Sequence, residues 1–134
     1  MYRSVILKIS VALLCLIGLS ACTQQQQDTP IAAVQSYVNA RVAADEARLK
    51  ALTCKDLESQ AETEAASFKS MNAKLDGLTC TQSGTDGNFT VVACQGTITT
   101  TYNGESTPRS LAGRNFLTIK EDGQWKVCGY QSGN

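Results

Sequence analysis

Histidine is absent from all 134 residues. Without an imidazole the chain cannot use histidine as a general base or build a histidine-assisted nucleophile, and the commonest zinc ligand sets are closed to it. Charge of one sign is also lacking, because 12 Lys and Arg face 12 Asp and Glu. No basic stripe points to nucleic acid, and no acidic block points to a disordered tail. There is no Cys-x-x-Cys, so neither a dithiol redox motif nor a zinc knuckle is present. No Asp-x-Asp-x-Asp-Gly loop offers a calcium site. The longest apolar run falls short of the roughly 20 residues that a spanning helix needs. These gaps argue against hydrolytic or redox turnover and leave the chain without a catalytic signature.

What is present begins at the start of the chain. Arg3 and Lys8 precede an apolar run at 9–19, relieved only by Ser10 and Gly18, and the run ends at Leu19-Ser20-Ala21-Cys22. A charged n-region, a short apolar h-region and small residues at the cut describe an export signal. The last four residues resemble the lipobox of bacterial lipoproteins. That resemblance implies cleavage after Ala21, with Cys22 becoming the N-terminus and carrying palmitate-type acyl chains into the bilayer. The rival is an ordinary secretory signal in which Cys22 is incidental. The expected organisation is a signal at 1–21, a flexible tether at 22–29 around Gln24 to Gln27, and one domain at 30–134. Its address is the bacterial cell envelope, lipid-anchored, with the domain facing the periplasm or the cell exterior. Removing 1–21 leaves a little over a hundred residues, enough for one core, and a slightly negative charge.

Cys15 leaves with the signal and Cys22 takes the lipid, so Cys54, Cys80, Cys94 and Cys128 remain. Four thiols outside the cytoplasm read as two disulfides with three possible connectivities, and a four-cysteine zinc site is the competing arrangement.

In chain order, Asp28 or Thr29 can cap a helix with Pro30 in its first turn and Ile31, Val34, Tyr37, Val38 and Val42 along one side. A second short helix starts at Asp45 and Glu46 and carries Leu49 and Leu52. Thr53-Cys54 breaks it. A third runs from 55 to about 71 with Leu57, Ala61, Ala65 and Phe68 on one face. Asp56, Glu58, Glu62 and Glu64 lie toward its front, where the helix dipole favours them. After Asn72, threonine, valine and glycine replace alanine and glutamate. Strands are expected at 74–82, 89–102, 109–120 and 124–130, turning at 83–88, at Asn103-Gly104 and at 121–123. Four strands in sequence make an antiparallel meander.

Two geometric expectations follow. In the last hairpin, a three-residue loop with Gly123 in the left-handed bulge position pairs Ile119 with Trp125 and Leu117 with Val127, placing all four on one face. A two-residue loop would instead oppose Lys120 to Trp125. The first is the expectation, because it gathers the apolar groups. Cys80 and Cys94 flank the 84–88 turn almost symmetrically, so they pair across a hairpin and leave Cys54 for Cys128.

The order of these pieces resembles the nuclear-transport-factor-2-like (cystatin-like α+β) superfamily, and more narrowly its small bacterial lipoproteins of the lumazine-binding-like kind. The matching residues are Ala33-Val34-Gln35-Ser36-Tyr37, Leu52-Thr53-Cys54, and Gly123-Gln124-Trp125-Lys126-Val127-Cys128. The resemblance implies an α+β domain whose N-terminal helices pack on a curved four-stranded antiparallel meander, often leaving a pocket between the layers. The superfamily includes isomerases and dehydratases, but this chain departs from those enzymes in having no histidine, so the expectation is a non-enzymatic envelope lipoprotein that binds a small apolar ligand or an envelope partner, without a cofactor or metal. The alternative is an isomerase- or dehydratase-type envelope enzyme using carboxylate and tyrosine chemistry, with Asp45 and Asp56 as candidate bases that are otherwise helix-start residues. Tyr37, Phe68 and Trp125 are the expected pocket lining, with Tyr102 and Tyr130 as further aromatics at core or rim. Arg114 is either a contact for an anionic ligand or an outward-facing strand arginine. The Asn88-Phe89-Thr90 sequon has no expected role in a bacterial chain.

Overall fold

The computed structural model describes residues 28–133. Cys22, the expected cleavage site and most of the expected tether lie outside them. Helix α1, Pro30–Val42, is capped by Thr29, whose Oγ1 accepts the Ala32 N–H at 3.1 Å. Asp45 caps α2, Glu46–Leu52, by accepting the Arg48 N–H at 3.1 Å. A single 3-10 turn, Lys55–Leu57, leads into α3, Glu58–Lys69. The helices bury small and branched residues: Val34, Val38, Leu49 and Ala65 are wholly inaccessible.

Five strands follow, not four: β1 Lys74–Asp86, β2 Phe89–Tyr102, β3 Glu105–Ser110, β4 Arg114–Glu121 and β5 Gln124–Ser132. All pair antiparallel in one sheet of order β1-β2-β4-β5, with β3 also on β2. The extra strand arises because the expected 109–120 segment is broken at 111–113. Thr97 opposes Ser110 and Cys94 opposes Arg114, so two residues of β2 face three on the other side. That bulge divides the edge of β2 between β3 and β4 and bends the sheet. Gly96 sits at the break with φ +128, and a Cβ there would lie 2.9 Å from the Asp76 carbonyl oxygen.

The last hairpin corrects the expected register. Lys120 opposes Trp125 and Glu121 opposes Gln124, a two-residue Asp122-Gly123 loop with both residues at positive φ. Leu117 and Ile119 therefore take the half-exposed outer face, while Phe116 and Thr118 go inward with Val127. The local apolar pattern favours collecting four large groups on one side. The primed turn matches the strand twist better, and the helix layer covers the Phe116 face instead. A second bulge restores what the register costs. Between Thr118–Val127 and Phe116–Tyr130, Leu117 faces both Cys128 and Gly129. Its position turns Cys128 toward Cys54, whose N–H donates to the Val127 carbonyl at 2.9 Å beside a parallel bridge from Thr53 to Val127.

Both disulfides have the expected partners. Cys80 and Cys94 are directly opposed in β1 and β2, with Cα atoms 4.1 Å apart; Cys54 and Cys128 stand 5.2 Å apart and tie the helical layer to the sheet edge. Lys126 Nζ adds a bond from β5 to the Ala51 carbonyl in α2. At the centre, Phe116 is fully buried against Tyr37 and Tyr130, with ring centroids 6.2 and 5.9 Å away. Burial of each such side chain contributes about 1.5–3 kcal/mol.

Candidate functional site: two clefts between helices and sheet

Helical spacing sets up the site. Tyr37 and Arg41 lie four apart on α1, and Glu64 and Phe68 lie four apart on α3, so each pair shares a helix face. Where the two faces meet, the Tyr37 hydroxyl donates to Glu64 Oε2 at 2.7 Å and Arg41 Nε lies 2.6 Å from Glu64 Oε1. The Arg41 guanidinium also lies 4.9 Å from the Phe68 ring centre. Arg41 Nε–H aims along no hydrogen-bond axis despite the short separation, so this contact is charge against charge rather than a directed bond. Burial first, and then the Glu64 carboxylate, hold the Tyr37 hydroxyl well above the usual tyrosine range. Both oxygens of Glu64 are thus engaged, and the phenol is held protonated as a donor.

This four-residue junction separates two clefts. The first, of about 520 Å³, runs along α3 past Tyr37, Glu64 and the C-terminal half of β5 and has a mixed lining with Thr53, Ser59, Gln60 and Thr63. The second, of about 470 Å³, opens beyond the C-terminal ends of α1 and α3 onto β2, β3 and β4. Ile98 and Leu111 form its buried floor, and Phe68 and Met71 its half-buried wall. Arg41, Arg109 and Arg114 also line it, and among the described residues no Asp or Glu does. Tyr130 borders both clefts.

The expected pocket residues are divided by the structure. Tyr37 lines the first cleft and Phe68 the second. Trp125 lines neither; it sits in the final hairpin with Lys120 Nζ 5.7 Å from its ring centre. Asp45 and Asp56 are exposed and line neither cleft, Asp45 spent on its helix cap. Tyr102, 62% exposed, stands at the rim of the second cleft. Arg114 is on the helix side of the sheet, opposite buried Cys94 and with its guanidinium 4.9 Å from the Tyr130 ring centre. The outward-facing reading of Arg114 is therefore set aside. Sequence reasoning missed Glu64, Arg41 and Arg109. The four-residue spacings on α1 and α3 were a usable signal for the first two; nothing local marked Arg109. Cys54, Glu121 and Cys128 lie close enough to hold a metal ion, but the two sulfurs are bonded to each other and offer no thiolate.

No protein-family model matches the chain. No curated protein matches it either. Among solved structures, it is similar to a SEC-C motif containing protein from Rhodopseudomonas palustris, with TM-score 0.57 and 13% identity over 81% of this chain and 82% of that one. A design named Rd1NTF2_05 gives TM-score 0.49 and 15% identity over 75% of this chain and 92% of that one. The cell shape determining protein Pgp2 of Campylobacter jejuni gives 0.49 and 10% over 75% and 38%. The first likeness concerns the fold alone: an α+β domain in which three helices pack on an antiparallel sheet.

Proposed function

We propose that this chain is a lipid-anchored bacterial envelope protein of nuclear-transport-factor-2-like fold, and that its domain binds a small, largely apolar ligand without transforming it. The observation that carries the reading is the second cleft. Its volume of about 470 Å³ lies within the range of small-molecule sites, and its floor and wall are Ile98, Leu111, Phe68 and Met71. An envelope isomerase would need a carboxylate free to take a proton. Glu64, the carboxylate that lines the first cleft, has Arg41 on one oxygen and Tyr37 on the other. The anchor rests on Leu19-Ser20-Ala21-Cys22, and stable attachment takes two or more acyl chains.

Protein purified from membranes, extracted with organic solvent and examined by mass spectrometry should yield a recurrent small molecule in stoichiometric amount. No recurrent molecule, together with no stabilisation by any apolar probe, would refute the binding role. Cys22→Ser should move the protein to the soluble fraction or leave it unprocessed; unchanged membrane retention after normal cleavage would refute the anchor.

A further inference from the structure

The second cleft is both apolar and cationic. Its three lining arginines come from three elements, Arg41 from α1, Arg109 from β3 and Arg114 from β4. Arg41 is matched by Glu64 behind it. Arg109 and Arg114 form no ion pair with any described carboxylate. Five residues apart, they would point to opposite faces of a regular strand, because side chains alternate. The bulge at 111–113 adds one residue and shifts the phase, so Arg109 opposes buried Ile98 while Arg114 opposes buried Cys94. Both arginines thereby line the same cleft as the buried Ile98 and Leu111. Surface arginines usually spread into water or pair with acids. Two unpaired ones turned onto a hydrophobic cleft make a receptor for a negative charge carried on an apolar body.

We infer that the second cleft takes a small amphipathic carboxylate, its anion between Arg109 and Arg114 and its apolar part against Phe68, Met71, Ile98 and Leu111. This inference rests on the binding reading above and specifies its ligand class. A guanidinium presents donors in a planar fork that a carboxylate accepts in pairs, and the Arg114 guanidinium is held 4.9 Å from the Tyr130 ring centre at the border of the same cleft.

The test uses the full-length protein in phosphatidylcholine nanodiscs and follows its unfolding temperature, which rises with any ligand that binds the folded state. Phenylbutyrate should raise it at concentrations at least about tenfold lower than phenylbutanol, which has the same body without the charge. Added sodium chloride should narrow that gap. Arg109→Gln with Arg114→Gln should bring the carboxylate down to the level of the alcohol and leave the alcohol unchanged. Arg109→Gln alone, at an exposed position, serves if the double variant unfolds. Equal action of the two probes would overturn the inference while the binding reading stands; no effect of either would remove both. A carboxylate preference that survives the arginine substitutions overturns the assignment. Inorganic phosphate acting as strongly as phenylbutyrate would mean a simple anion site. Stabilisation by phosphatidylglycerol nanodiscs alone, lost with the arginines, would mean a lipid headgroup. Either result overturns the free carboxylate.

Discussion

The two disulfides offer a comparison in which most confounding terms cancel. Each joins one buried cysteine to one half-buried one: Cys54 to Cys128, and Cys94 to Cys80. Replacing either pair with alanine therefore removes similar packing. What differs is the length of chain that the bond closes, a sequence separation of 74 against 14. In the chain-entropy treatment the long loop contributes about 4.5 kcal/mol and the short one about 3, a difference of about 1.5 kcal/mol. For a domain of this size that gap corresponds to roughly 6–10 °C in Tm. Urea unfolding of the oxidised protein and the two double alanine variants measures it directly. Cys54→Ala with Cys128→Ala should unfold at the lower midpoint of the two, with the steeper slope, because its unfolded chain gains more exposed surface. Equal midpoints, or a weaker Cys80→Ala with Cys94→Ala protein, would refute the loop-length argument. The ranking would then belong to local strand pairing instead.

Three further outcomes follow from single contacts. Phe116→Ala empties the fully buried centre between Tyr37 and Tyr130 and should cost about 3–5 kcal/mol in urea unfolding. Gly96→Ala sets a Cβ 2.9 Å from the Asp76 backbone oxygen at φ +128. It should destabilise by about 2 kcal/mol or more, and a loss under half that would show that β1 yields there. Tyr37→Phe removes the donor to Glu64 at 2.7 Å and should cost about 1–3 kcal/mol near neutral pH. Its pH dependence has a definite sign. The folded phenol titrates above the ordinary tyrosine value of 10.0, so the unfolded chain loses this proton first. The Tyr37 contribution is complete below that value and is lost as pH rises from there toward the folded pKa. Stability measured between neutral and strongly alkaline pH should fall more steeply in the parent than in Tyr37→Phe.

Features that depend on local chemistry were legible in the chain before any fold was known. Thr29, Pro30 and Asp45 mark helix starts because a side-chain oxygen or a fixed φ acts within one turn. Strand β2 matched its expected bounds, Phe89 to Tyr102, because its β-branched run is bounded by turn residues on both sides. The cysteine pairs followed from spacing about a hairpin and from elimination. Tertiary structure alone decided which way strands face. The register of the last hairpin depended on the helix layer covering the Phe116 side, and local pattern favoured the other choice. The break at 111–113 left no clear mark in the composition, yet it made the fifth strand and turned Arg109 and Arg114 to the same side. One inserted residue reverses the alternation of every side chain after it, and only pairing across the sheet reveals the insertion. Glu64 was likewise read as one of a set of acids at the front of its helix. Its meeting with Tyr37 and Arg41 depends on how α3 crosses α1, a distance that no single helix encodes.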